Sequence, residues 1–145
     1  MNNKEFKKTI QIELENNGFN YMNKCFYYFR DDLIVVVDTQ KSNFDNSFYI
    51  NYAFFVKDIH SGVDYPKTSE CDIRGRFVCK RAGAVIDRFP LNDMSLEELQ
   101  NNLADNIDSI LKPVISDRLT KYFDIYPMAI HTATKALKQY LETIK

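Results

Sequence analysis

Apolar side chains are densest in residues 33–56, where two strand patterns flank a polar segment. Residues 33–37 form an unbroken apolar run rich in β-branched side chains, which favours a β-strand. Turn-forming residues occupy positions 41–47. Beyond them apolar side chains recur at every second position, the period of a strand: Phe48, Ile50, Tyr52, Phe54 and Val56. The pattern predicts two paired strands at the centre of a sheet.

The chain before this pair predicts a helix and a hairpin. The helix covers residues 3–16, and Gly18 is its expected left-handed stop. Its apolar stripe has a spacing of four residues: Phe6, Ile10 and Leu14. Residues 19–30 are rich in aromatic side chains on either side of Asn23, which predicts a hairpin that turns there.

The chain after the central pair predicts a loop and two further strands. Residues 57–68 contain glycine and proline and predict the loop. Residues 70–80 alternate as a strand does, and residues 84–89 predict a shorter strand that Pro90 ends. The alternation of 70–80 assigns one side to Cys71, Ile73, Gly75 and Phe77, and the other to Asp72, Arg74, Arg76 and Val78.

The last third of the chain predicts helices. Ser95 and Glu98 have the spacing of a capping box, so a helix is expected to begin at Leu96. Pro113 removes a backbone donor and predicts a kink or a restart, and Pro127 suits the first turn of a last helix. The apolar stripes are Leu96, Leu99, Leu103, Ile107 and Ile110 in the first helix, and Ile130, Ala133, Leu137, Tyr140, Leu141 and Ile144 in the last.

These elements predict an α+β fold with an N-terminal helix, an antiparallel meander of about five or six strands, and two or three C-terminal helices packed on one face. A length of 145 residues, 45% of them hydrophobic, suits a single domain over residues 1–145. No apolar run approaches the ~20 residues of a membrane span. Three cysteines without CxxC spacing indicate a reducing, cytoplasmic location.

The predicted sheet gathers polar side chains on the face away from its apolar layer. They are Asp38 and Gln40 from one strand, Tyr49 and Asn51 from the next, and Arg74 and Arg76, with Asp72, from the third; Lys41 and Ser42 lie beside them in sequence. Arginine presents a rigid donor fork, and amides both donate and accept hydrogen bonds. Two interpretations stay open: a binding surface, or a solvated face whose charges pair with one another.

Three short motifs carry a resemblance to a known family. They are Gln-Lys-Ser-Asn-Phe at 40–44, Phe-Tyr-Ile-Asn at 48–51 and Ile-Arg-Gly-Arg at 73–76, and an opening helix followed by Gly18 and Phe19 accompanies them. Over roughly residues 1–120 the chain resembles the bacterial family catalogued as domain of unknown function 4304, and its first motif is the most specific. The resemblance implies a free-standing bacterial α+β protein and no particular reaction.

Enzymatic chemistry is disfavoured. His60 and His131 are the two histidines, and neither has a partner at metal-ligand spacing. The chain has no nucleophile elbow, Walker loop or Rossmann glycine pattern. Lys41 and Ser42 are neighbours in a predicted strand end, so their side chains point to opposite faces and do not pair. The sequence therefore predicts no catalytic residue, no metal site and no cofactor.

A binding protein is the favoured interpretation, with a protein partner and a role like that of immunity proteins. Acidic residues early in the chain support a basic partner: Asp31, Asp32, Asp38, Asp45 and Asp58. The alternative is an enzyme or binder of a phosphate-bearing ligand or nucleic acid that uses Arg74 and Arg76. A basic set in their part of the sequence favours it: Lys41, Arg74, Arg76, Lys80, Arg81 and Arg88. The net charge of −1 makes nucleic acid the weaker partner. The oligomeric state, and whether residues 57–68 cover the polar face, stay open.

Overall fold

The computed structural model describes residues 1–144, which form five α-helices and eight β-strands. The strands are β1 (Asn20–Met22), β2 (Cys25–Phe29), β3 (Leu33–Lys41), β4 (Ser47–Val56), β5 (Ile73–Arg76), β6 (Cys79–Arg81), β7 (Ala84–Ile86) and β8 (Phe89–Pro90). The helices are α1 (Asn3–Asn16), α2 (Leu96–Asn106), α3 (Lys112–Ser116), α4 (Thr120–Ile125) and α5 (Lys135–Thr143). No helix within residues 1–144 combines the length and the hydropathy needed to cross a bilayer.

Six of the strands form one antiparallel sheet. Its order is β1-β2-β3-β4-β5, and β8 pairs with the first two residues of β4. The remaining strands, β6 and β7, form a separate hairpin. The predicted α+β fold, with its N-terminal helix, antiparallel sheet of about five or six strands and C-terminal helices, is confirmed. Strands β1 to β5 form the meander, and β8 adds to β4.

Local sequence accounts for the N-terminal elements. The Asn2 side chain accepts a hydrogen bond of 2.8 Å from the Glu5 amide and caps α1, whose apolar stripe is fully buried. Gly18, with φ +90°, ends the helix as expected. Asn23 and Lys24 both have positive φ and form the two-residue turn between β1 and β2.

The sheet is buried on both faces at one end. Its first face carries the main core, to which α1 and the C-terminal helices contribute. Its second face carries a smaller apolar cluster at one end: Cys25, Tyr27, Ile34, Val36, Ala53, Phe55 and Cys71. Residues 57–71 cover this cluster, and His60 stacks on Phe55 with 4.2 Å between ring centroids. Burial on both sides explains the unbroken apolar run at 33–37.

The strand predicted over residues 70–80 is too long, because the structure has the shorter strands β5, Ile73–Arg76, and β6, Cys79–Arg81, in this region. Because Thr68–Glu70 forms a 3₁₀ turn, alternation begins only at Ile73, and Cys71 joins the second-face cluster rather than the main core. The chain leaves the sheet after Arg76. Beyond that point two asparagines of α2 bond the backbone at positions 78 and 80.

The first C-terminal helix begins as predicted. The Ser95 hydroxyl accepts a hydrogen bond of 3.0 Å from the Glu98 amide, and the Glu98 carboxylate pairs with Arg81 at 2.6 Å. Leu96, the first residue of the helix, was expected on the buried stripe but is 51% exposed. A π-helical turn at Ile107–Leu111 precedes Pro113, where a kink was expected.

The last helix begins later than predicted. Pro127 opens a 3₁₀ turn, Pro127–Thr132, and extended backbone at Ala133 interrupts the helix before Lys135. Thr134 caps α5 by accepting a hydrogen bond of 3.2 Å from the Leu137 amide. Ala133 and Leu137 are buried, whereas Ile144 is exposed, contrary to the predicted stripe.

Candidate functional site

The second face of the sheet changes from apolar to polar along β3 and β4. Asp38 lies opposite Asn51 in the register, and Gln40 lies opposite Tyr49. On the other side of β4, Asn51 lies opposite Arg76, and Arg74 lies opposite Ala53. The register therefore brings six of the eight candidate residues to one surface, here called the polar face: Asp38, Gln40, Tyr49, Asn51, Arg74 and Arg76.

Asn51 is the centre of the polar face. Its Nδ2 donates hydrogen bonds to Asp38 Oδ1 at 2.8 Å and to Gln40 Oε1 at 3.3 Å. The second oxygen of Asp38 accepts a hydrogen bond of 2.9 Å from the Thr68 hydroxyl. These bonds join three chain segments and fix the orientation of both amides.

Arg76 is held from three directions. Its guanidinium lies 4.0 Å from the centroid of the Tyr49 ring, a cation–π contact. Its Nε donates to Asn51 Oδ1 at 3.3 Å, and its Nη1 pairs with Asp87 at 3.1 Å. Arg76 is therefore engaged within the chain and has little freedom to reach a ligand.

Arg74 differs from its neighbours. It is exposed on the edge strand β5, and within residues 1–144 its guanidinium makes no hydrogen bond or ion pair. The other five side chains of the polar face each have a partner inside the chain. Arg74 is thus the free charge of this surface.

Five of the six residues of the polar face, all except Tyr49, line a groove of ≈ 890 Å³. Thr68 and Ser69 border the groove on one side, and Thr132 and Thr134 border it on another. Residues 57–68 lie over the apolar half of the second face, where Tyr65 contacts Tyr27 edge-on at 5.8 Å. The groove therefore lies beside this loop, and the loop does not cover Gln40 or Arg74, which are exposed.

Two candidate residues lie elsewhere. Lys41 is opposite Phe48 in the register, so it belongs to the first face; its Nζ lies over the Phe48 ring at 4.8 Å and donates to Asn46 Oδ1 at 2.6 Å. Ser42 is buried in the turn, where its hydroxyl accepts a hydrogen bond of 3.1 Å from the Phe44 amide. Strand parity separates Lys41 from Gln40.

Asp72 lies at the boundary between the groove and the loop. Only 1% of its surface is exposed, and its carboxylate accepts a hydrogen bond of 2.8 Å from the Val56 amide. His60 Nε2 lies 2.8 Å from the other carboxylate oxygen. Sequence spacing did not indicate this pair, because its members are twelve positions apart in a segment without a regular period.

The early acidic residues and the basic residues, each expected to form one patch, are dispersed in the structure. Asp32 pairs with Arg30, Asp45 with Arg88, and Asp58 accepts from Tyr140. Asp31 and Asp45 lie near opposite ends of β3, a nine-residue strand, and therefore roughly 30 Å apart. In the basic set, Arg81 pairs with Glu98 and Arg88 with Asp45, whereas Arg74 and Arg76 lie on the polar face and Lys41 lies on the first face. Neither set forms one patch.

The cysteines are held as neutral thiols. All three are free and buried. Burial raises the pKa of Cys25 and of Cys71, and it raises the pKa of Cys79 to about 11. Because the thiolate is the nucleophilic form, these side chains are poor nucleophiles. No group of three or more potential ligands for a metal ion occurs among the His, Cys, Asp and Glu residues of the described chain, 1–144.

These features define an α+β protein whose sheet is apolar on one face and half polar on the other. The profile of the family described as "Domain of unknown function (DUF4304)" matches residues 10–125. The chain belongs to this family. No curated protein and no solved structure matches the chain.

Proposed function

We propose that the chain is a binding protein whose polar face receives a protein partner. The observation that carries the proposal is the state of Arg74: an exposed guanidinium without a partner in residues 1–144, on a surface where neighbouring side chains are fixed by hydrogen bonds. A preorganised surface loses little side-chain entropy on binding. A free arginine beside it can form a bidentate pair with a carboxylate.

The charges around the groove favour a protein over a phosphate-bearing ligand. Asp38 and Asp87 lie beside Arg74 and Arg76, and the buried Asp72 also lines the groove, so three carboxylates accompany two guanidiniums. A nucleic-acid backbone requires an excess of basic residues, which this surface lacks. The phosphate alternative, enzymatic or not, rests on Arg74 alone and is the weaker proposal.

An immunity-like role and a location in the bacterial cytoplasm are parts of the same proposal. The three free, buried thiols support a reducing compartment. The dispersed early acids do not support steering by one acidic patch, so an immunity-like role depends on the polar face itself. We propose that recognition there is by hydrogen bonds and one free guanidinium.

The test is Arg74→Ala, because this side chain is exposed and has no partner to disrupt. We expect the free energy of unfolding to change by no more than about 0.5 kcal/mol. Capture of the partner from a nuclease-treated lysate of producing cells, quantified by mass spectrometry, should fall about tenfold or more. Arg118→Ala is the matched control, since Arg118 is exposed and pairs with Asp117 outside the polar face. Unchanged capture by folded Arg74→Ala would overturn the proposal.

A further inference from the structure

Strand β5 is an edge strand, because within residues 1–144 it pairs with β4 on one side and with no strand on the other. The Phe77 amide, one residue past β5, donates to the Ile50 carbonyl of β4 at 2.9 Å. In an antiparallel ladder, residues whose main chain faces the neighbouring strand alternate with residues whose main chain faces away. The amides and carbonyls of Arg74 and Arg76 therefore point away from β4, towards the open edge.

The chain itself pairs this outward row of main-chain groups before and after β5. Before the strand, the Asp72 carbonyl accepts a hydrogen bond of 3.0 Å from the Thr134 amide. After the strand, two asparagine side chains of α2 bond both the amide and the carbonyl of Val78 and of Lys80. The two arginines of β5 lie between these paired positions. Within residues 1–144 their own amides and carbonyls have no hydrogen-bond partner.

This unpaired stretch opens on the groove beside the polar face. All four residues of β5 line the groove, and both arginines are exposed. An unpaired strand edge is a template for an added strand, which supplies main-chain donors and acceptors at the same spacing. Two outward residues present two amides and two carbonyls, enough to pair with one extended segment of about three to five residues.

We propose that the partner protein adds an extended segment of its own chain to β5, with hydrogen bonds to the main chain of Arg74 and Arg76 and an acidic side chain opposite Arg74. This inference rests on the proposed function. In the added ladder, the side chain opposite Arg74 would lie on the polar face, at roughly 5 Å between Cβ atoms. The guanidinium has no hydrogen bond or ion pair within residues 1–144, and a carboxylate at that position supplies one.

The chemistry of the edge disfavours two other occupants. Pairing between the β5 strands of two copies would place arginine opposite arginine, and like charges directly opposite each other destabilise a ladder. A phosphate group pairs with a guanidinium as an acceptor, so it would leave the carbonyls of β5 without donors. An extended peptide supplies donors, acceptors and a carboxylate together.

The experiment selects a displayed library of random peptides, each of about ten residues, on the immobilised full chain. We expect the enriched peptides to share an Asp or Glu within a segment that lacks proline, because proline has no N–H for the ladder. One enriched peptide is then synthesised, and hydrogen exchange of the isotope-labelled chain is followed by NMR with and without it. Exchange of the Arg74 and Arg76 amides should slow about tenfold or more. Gly75 is the internal control, since its amide faces β4 and should be protected in both states.

Two substitutions at one position separate the side chain from the main chain. Arg74→Ala and Arg74→Pro both remove the guanidinium, and only proline also removes the outward amide. Proline is tolerated on an edge strand where the N–H faces solvent. Arg74→Ala should weaken the affinity for the peptide about tenfold, and Arg74→Pro should weaken it about fivefold further. Arg118→Ala, outside the polar face, should change it less than about twofold.

Three results overturn strand addition. They are enrichment of no peptide, unchanged exchange of the Arg74 and Arg76 amides in the peptide-bound chain, and equal affinities of folded Arg74→Ala and Arg74→Pro. Hydrogen exchange of the wild-type chain decides the question if the proline variant does not fold. Protection of both amides that increases with the concentration of the chain alone would identify a second copy as the occupant, and it also overturns the proposal.

Strand addition and the proposed function fail separately. If Arg74→Ala loses capture from the lysate while the two amides exchange unchanged with the peptide bound, the polar face stands and strand addition falls. If the peptide protects both amides while Arg74→Ala leaves capture from the lysate unchanged, strand addition stands and the role of the Arg74 side chain falls.

Discussion

Gly75 lies under the ring of Tyr52, its partner in the register of β4 and β5. A Cβ atom at position 75 would overlap the hydroxyl and Cζ of that ring. The Tyr52 ring cannot move away from position 75, because it is buried and its hydroxyl forms a hydrogen bond of 2.8 Å with the Tyr122 hydroxyl. The packing of Tyr52 therefore leaves no space for a side chain at the glycine of the Ile-Arg-Gly-Arg motif.

Gly75→Ala is expected to destabilise the fold by about 1–3 kcal/mol, because the added methyl group must displace a packed aromatic ring. Chemical denaturation measures the change. In a double-mutant cycle with Tyr52→Leu, which removes the distal ring atoms, the penalty for alanine should shrink. A neutral Gly75→Ala in the wild-type background would contradict this account.

After Arg76 the chain leaves the sheet, and side chains of α2 form the backbone hydrogen bonds that a neighbouring strand would otherwise provide. Asn106 accepts a hydrogen bond of 2.9 Å from the Val78 amide and donates one of 2.8 Å to the Val78 carbonyl. Asn102 makes the same pair of bonds to the backbone of Lys80, at 2.8 and 3.5 Å. An amide side chain can replace a strand here because it carries both a donor and an acceptor.

Asn106→Ala is expected to lower the free energy of unfolding by about 2–4 kcal/mol, because a buried amide and carbonyl lose their partners. Asn101→Ala is the control on the same helix, since Asn101 is exposed, and should change stability by about 0.5 kcal/mol or less. Urea denaturation of the two variants compares them directly. Equal effects would contradict a special role of the backbone bonds, because alanine is the better helix former at both positions.

Elements with a strong local period were predictable from sequence. The pairing of β3 with β4 and the buried stripe of α1 follow from spacing alone, and parity placed six site residues on one face. Lys41 was assigned to the site by adjacency, although parity puts it on the other face. The Asp72–His60 pair depends on a contact between separate segments, which no local pattern encodes. The hairpin of β6 and β7 is local, with a two-residue turn at Ala82 and Gly83.

At the scale of the whole molecule, folding keeps several weak acids neutral. Burial raises the pKa of Cys71, of Tyr52 and of Tyr122, as well as that of Cys79. The unfolded chain releases these protons at lower pH than the folded chain. The stability that this difference provides is fully present below the unfolded pKa values and is lost as the pH rises through the folded ones.

The free energy of unfolding is therefore expected to fall as the pH rises from about 9, the ordinary pKa of a thiol, towards 11, the raised pKa of Cys79. Urea titrations at about pH 8, 9 and 10 measure the slope. Cys79→Ala removes one of these groups and should make the slope shallower. A slope that does not change in this variant would contradict the assignment.

The family profile ends at residue 125, yet the chain beyond that point completes the fold. Leu137 is fully buried in the main core, and the Thr134 amide donates to the Asp72 carbonyl at 3.0 Å. A relative that ends sooner, or continues differently, must supply another donor for that carbonyl and another cover for that side of the sheet. Removal of the tail would therefore leave the carbonyl of Asp72, just before β5, without this donor and would uncover the main core at Leu137.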